Sequence, residues 1–116
     1  MSILVFRLET KDKGYGPWCD YGSHRTDRWS NMGRIMPSPN EDGIYSFFAD
    51  EYRHGCIGIT QLKEWFAEFV EDLQSRFCIR MYQVPDTRYR VGGHQVIFCI
   101  KDAVLVEEWP VEVLAN

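Results

Sequence analysis

Chemistry in this chain would have to come from a few scattered polar side chains. Cys19 and His24 lie five apart and His54 and Cys56 two apart. Together they offer a Cys₂His₂ donor set, but neither gap matches the C-x₂₋₄-C or H-x₃₋₅-H spacing of zinc modules, so no structural metal is expected. Cys56 near His54 is the one local hint of a nucleophile with its base, a pair that must meet in space to work. Nucleophile elbows, phosphate loops and dinucleotide-binding glycine fingerprints are missing, and "GYGPW" (Gly14–Trp18) is too short to be one. Glu41, Asp42, Asp50 and Glu51 flank a strand-like run, where carboxylates commonly serve solubility and capping. No cofactor is expected from these patterns. Two polar residues remain of interest, Arg7 and Gln95, because each interrupts an otherwise apolar strand pattern.

The elements that would position them can be read from periodicity. "ILVFRLE" (Ile3–Glu9) is rich in β-branched and aromatic residues and reads as a strand. Alternation puts Arg7 on the face of Ile3 and Val5, at the strand's open end or aimed into a cleft. Residues 11–42 show no period but carry Tyr15, Trp18, Tyr21 and Trp29 among glycines and prolines. Such a stretch is expected to be a long ordered loop; loops this long are usually functional or disordered, and the aromatic content favours function. "GIYSFFAD" (Gly43–Asp50) reads as a second strand, and "EYRHGCIGI" after it as a turn with a short extension.

The clearest element is a helix over about 60–76, with Thr60 as its N-cap. Leu62, Trp65, Phe66, Phe69, Val70 and Leu73 form a stripe of 3.6-residue period, opposite Glu64, Glu68, Glu71 and Asp72. "FCIRMYQV" (Phe77–Val84), a turn at Pro85–Asp86, and Val96–Ile100 follow. The last of these is apolar throughout, as suits a central strand covered on both faces. "AVLVEEWPVEVLA" closes the chain as a strand or short helix. The expected fold is a single compact α+β domain over 1–116, with four to six mostly antiparallel strands, one dominant amphipathic helix and the long loop.

Bulk composition excludes several classes. The chain has 116 residues, a net charge of −4 and 45% hydrophobic residues. This length suits one domain with its own core. The acidic balance argues against a general nucleic-acid binder, which needs a basic face. The clusters Arg25, Arg28, Arg34 and Arg76, Arg80, Arg88, Arg90 read as solvated surface. Membrane-span and signal-peptide patterns are not seen, so the expected location is the cytoplasm, with Cys19, Cys56, Cys78 and Cys99 reduced.

The order "VFRLE", "GYGPW", "MPSPNEDGI", "IGITQLKEWF", "YQVP" and "VGGHQVIF" resembles a family of small proteins from bacteriophages and prophages. That family usually carries a histidine before the first proline of the loop, where this chain has Met36. The layout also resembles a minimal ADP-ribosyltransferase. By that resemblance Arg7 would contact NAD, Ser46 would be the middle-strand polar residue, and Gln95 would stand near the catalytic glutamate. A neutral amide cannot stabilise an oxocarbenium-like transition state by charge. In some transferases a glutamine accompanies that glutamate two residues away, and here that position is Ile97.

Two functional expectations follow. The first is a phage-encoded accessory protein that binds a host protein, in its most concrete form an anti-CRISPR-type inhibitor of a defence-complex subunit. Tyr15, Trp18, Tyr21 and Trp29 would be its anchors, since aromatic residues dominate interface energetics. The same loop could make a homodimer. The alternative is an ADP-ribosyltransferase-like enzyme or NAD- or nucleotide-binding protein with a cleft around Arg7, Ser46 and Gln95.

Overall fold

The computed structural model describes residues 1–14 and 52–115. The strand-like run Gly43–Asp50 and all of the long loop beyond Gly14 lie outside them. Among the described residues the chain forms six strands in two antiparallel three-stranded sheets, with the α-helical segments between β2 and β3 and short 3₁₀ helices after β3, β5 and β6. The strands are β1 (Ser2–Thr10), β2 (Tyr52–Gly55), β3 (Phe77–Pro85), β4 (Tyr89–Val91), β5 (Val96–Cys99) and β6 (Val104–Pro110). The first sheet has the order β1-β3-β6 and the second β2-β5-β4. The α+β expectation therefore holds, with antiparallel pairing throughout.

The apolar stripe of the helix does what its period implies. Leu62, Trp65, Phe66, Phe69, Val70 and Leu73 are all buried, in one cluster with Leu8, Phe77, Ile79, Val111 and Leu114. The helix itself differs from the expectation in two respects. It starts at Ile59, with Gly58 rather than Thr60 at the N-cap and no side-chain cap hydrogen bond. It also stops at Leu73 and is not continuous: α1 (Ile59–Phe66) passes through a 3₁₀ turn (Ala67–Phe69) into α2 (Val70–Leu73). The break falls where Trp65, Phe66 and Phe69 are all buried. A 3₁₀ turn sets i and i+3 one above the other, which turns Phe66 and Phe69 to the same side.

The first sheet is covered on both faces. Phe6, Leu8, Phe77, Ile79 and Trp109 meet the helix, and Val5, Val84, Ile3 and Tyr82 meet Val96 and Phe98 of the second sheet. All of β5 is buried, as its apolar run predicts, and it is the central strand of its sheet. "YRHG" is a strand rather than a turn, because it pairs in register with β5, Tyr52 against Cys99 through Gly55 against Val96. The closing segment is both of the expected forms in turn, β6 followed by a 3₁₀ helix over Val111–Ala115.

Among the described residues one isolated backbone bridge joins the two sheets. Phe6 N–H donates to Cys56 O, and Cys56 N–H to Phe6 O, each at 2.7 Å. Gly55 makes this junction possible. A Cβ there would press into Val5 Cγ1 and stand 3.0 Å from Phe6 O and 3.4 Å from Phe98 Cε1. Val5 is β-branched and fully buried, so it has little room to give. Gly55→Ala is expected to destabilise the fold by about 1–3 kcal/mol, the usual cost of overpacking a tight site. Chemical denaturation with an unchanged m-value would show it.

Candidate functional site

Alternation along β1 sends Ile3 and Val5 into the core between the sheets, and carries Arg7 and Glu9 onto the same face further along. Arg7 is 5% exposed and Glu9 2%. The register places Arg7 directly opposite Arg80 of β3. Like charges facing each other across a ladder repel, and here one of them is buried. Glu9 resolves the conflict. Its Oε2 accepts from Arg7 Nε at 2.8 Å, and its Oε1 accepts from Arg80 Nη1 at 2.8 Å and from the Tyr82 hydroxyl at 2.7 Å.

The remaining donors tie the two guanidinium groups to the surrounding backbone. Arg7 donates to His54 O at 2.9 Å and to Gly14 O at 3.3 Å. Arg80 donates to Thr10 O at 3.3 Å, to Lys11 O at 2.9 Å and, from Nε, to Glu108 Oε1 at 2.8 Å. The pair thus ties β1, β2, β3, β6 and the turn after β1 together. That turn closes through Gly14 N–H to Thr10 O at 3.0 Å, with Gly14 at φ 71°, where glycine is the favoured residue.

Electrostatics follow from this geometry. Burial lowers the Arg7 pKa, and Glu9 works against that fall. For Arg80, partial burial opposes the charge, but the hydrogen bonds to Glu9 and Glu108 outweigh it and raise the pKa. Tyr82 is raised by loss of water and by its bond to Glu9, so it stays a phenol. His54 is exposed at the surface on one side, yet its pKa is lowered, first by desolvation on its protein side and then by Arg7 and Arg53. Burial pushes Cys56 up to about 12 and Cys78 up to about 11. Cys56 is therefore a core thiol, not a thiolate poised beside His54.

Around this network lies a cleft of about 360 Å³, lined in part by Arg7, Glu9, Lys11, Lys13, Arg53 and Tyr82. Of the cleft residues suggested by sequence, Arg7 lies in its wall. Gln95 does not line it: it is buried just before β5, where its carbonyl accepts the Gly92 N–H at 2.8 Å and closes the turn. That turn is docked on α1 by Trp65 Nε1 donating to His94 O at 2.7 Å and by Gln61 Nε2 donating to Gly93 O at 3.4 Å. Ser46, Tyr15, Trp18, Tyr21 and Trp29 lie outside the described residues. Sequence reasoning missed Glu9, Arg80, Tyr82 and Glu108. Their signal was an i, i+2 polar pair on each of two strands, "RLE" and "RMY". Reading Arg80 as solvated surface was a miss for the same reason, whereas Arg76, Arg88 and Arg90 are exposed.

A sequence model described as the bacteriophage T4 Y00F protein matches residues 1–112. The chain belongs to the bacteriophage T4 Y00F protein family. No curated protein matches it, and no solved structure does. The Y00F match supports the resemblance to small phage proteins and gives the transferase-like layout no support. It spans β1 to β6, so the whole Arg7–Glu9–Arg80 network lies within the matched region. Among the described residues, no helix of this Y00F-family protein is long and apolar enough to cross a membrane.

Replacing Glu9 by glutamine removes the charge and one of the two acceptor oxygens, and turns an NH₂ donor toward a guanidinium group. Glu9→Gln is expected to cost about 3 kcal/mol or more, as for a broken buried ion pair. Tyr82→Phe, which removes one hydrogen bond to a charged group and leaves the ion pairs in place, should cost less, about 1.5–3 kcal/mol. Urea unfolding of the two variants beside the parent protein measures both.

Proposed function

We propose that this phage-family protein acts as an accessory factor that binds a host protein, with the outer edge of β6 as its contact. The observation that carries this reading is the exposure of Val104, Leu105 and Val106, at 62%, 51% and 47%, on a strand at the end of its sheet. Among the described residues no strand pairs with that edge. An open edge with apolar side chains is a template for an added strand, because its unpaired N–H and C=O groups supply the hydrogen bonds. Exposed Glu107 follows the apolar run, beside Glu108 already paired with Arg80, so the complementary segment is extended, apolar at one end and basic at the other.

An anti-CRISPR-type inhibitor of a defence-complex subunit is the concrete form of this reading. Nucleic-acid-handling subunits carry the basic segments that such an edge would select. The aromatic residues Tyr15, Trp18, Tyr21 and Trp29 are of the types that anchor interfaces, and would be further anchors for a partner. Self-pairing of β6 into a homodimer is less favourable, since an antiparallel pair would bring glutamates of both copies close together. The alternative, an NAD- or nucleotide-binding protein built on Arg7, Ser46 and Gln95, has less behind it. Arg7 is committed to Glu9, His54 O and Gly14 O, and Gln95 lies away from the cleft wall.

Affinity capture from host lysate should recover a stoichiometric partner that is lost when Leu105→Lys or Val106→Lys places a charge on the edge. Lysine is the residue natural edges use against added strands. Recovery of no stoichiometric partner, or full retention of the partner by both variants, would contradict the proposal.

A further inference from the structure

The open edge of β6 is irregular, and its irregularity can be traced through the sheet. Phe6 exchanges backbone hydrogen bonds with Cys56, on the side of β1 away from β3. Bonded and non-bonded positions alternate along an antiparallel ladder, so Val5 and Arg7 turn their backbone groups to Tyr82 and Arg80 of β3. Met81 and Gln83, between and beside those two, therefore turn theirs to β6, at Glu107 and Val104. That leaves Leu105 and Glu108 directing N–H and C=O to the open side. Between them the ladder carries one extra residue: Tyr82 pairs with Leu105 but Met81 with Glu107, so Val106 forms a bulge. Pro110, two residues beyond Glu108, has no N–H to offer.

From this arrangement we infer that the partner of the β6 edge is a short flexible segment that adds antiparallel, with arginine or lysine on the N-terminal side of its apolar residues. The inference rests on the β6-edge reading of function and adds the class and direction of the partner. A bulge and a proline are devices that keep long regular strands from pairing with an edge. The edge of a folded sheet, or a second copy of β6, would have to break its own ladder to follow the extra residue. A peptide with free ends follows it without that cost.

Charge and pairing set the direction. Both sheets are antiparallel, and antiparallel pairs are slightly the more stable kind. Glu108 is already bonded to Arg80 at 2.8 Å, whereas Glu107 is exposed and has no ion pair among the described residues. Glu107 is thus the carboxylate left to attract a cation. A strand running antiparallel to β6 meets Glu107 first, then Leu105 and Val104, which are exposed and apolar. Opposite charges and apolar groups each favour their own kind of cross-strand neighbour, so the cation precedes the apolar residues. Main-chain bonds at Leu105 and Glu108 supply affinity, and this order of side chains supplies specificity.

The test uses the full chain and end-capped, fluorescein-labelled peptides in a polarisation titration. The first peptide has two arginines followed by three valines, with a threonine at each end, and the second is the same peptide reversed. The parent chain should bind the first saturably and the second about fivefold more weakly. Glu107→Lys should weaken the first by about fivefold and should prefer a third peptide that carries glutamates in place of the arginines. A mere loss of fold would not give that reversal. Sedimentation of the parent chain alone should show a monomer. Absence of saturable binding of the first peptide, equal affinity for both orders, no reversal in Glu107→Lys, or a dimer that Leu105→Lys dissociates would overturn the inference. Capture from lysate is read separately. A captured partner that Leu105→Lys loses, beside peptides bound without regard to order, would overturn this inference and leave the host-partner reading standing.

Discussion

A single buried carboxylate holds this structure to one register. Antiparallel pairing of β1 with β3 sets Arg7 against Arg80, an arrangement that would repel on its own. Glu9, two residues along the same face, gives one oxygen to each. A slip of β1 by one residue would turn Arg7 and Glu9 to the helix side and Leu8 into the polar end, so the ion network and the apolar stripes specify the same pairing. Removing one member of such a network is costlier than replacing all of it, because the loss leaves a charge buried without compensation.

The network also decides how the domain is layered. Between the two sheets the apolar end is filled by Val5, Val84, Val96 and Phe98, and the other end by the arginines and Glu9. The sheets can approach this closely because Gly55 has no side chain where Val5 and the Phe6 carbonyl stand. The helix side is ordinary hydrophobic packing around Leu62, Leu73 and Phe77. One face of the first sheet therefore supplies bulk stability, and the other supplies register and a charged cleft.

Much of the fold was legible because periodicity records burial. The stripe from Leu62 to Leu73 and the run Val96–Cys99 are buried as their patterns require. Thr60 looked like a cap, but the chain enters the helix through extended Gly58, a backbone choice that side-chain preferences do not reveal. "YRHG" looked like a turn because its strand character comes from pairing with β5, a contact distant in sequence. The site was less legible for the same reason. Arg7 stood out against apolar neighbours, whereas Glu9 and Arg80 looked like ordinary charges until the register brought them together. Gln95 stood out equally and proved to be part of a turn docked on the helix.

The central claim is that Arg7, Glu9 and Arg80 act as one unit. A double-mutant cycle with Arg7→Met and Glu9→Leu, measured by equilibrium unfolding, addresses it most directly. The account predicts strong coupling, with the double variant more stable than Glu9→Leu alone and an interaction energy above about 1 kcal/mol, since contacting residues in one network do not add. Additivity within about 0.5 kcal/mol, the behaviour of independent sites, would contradict it.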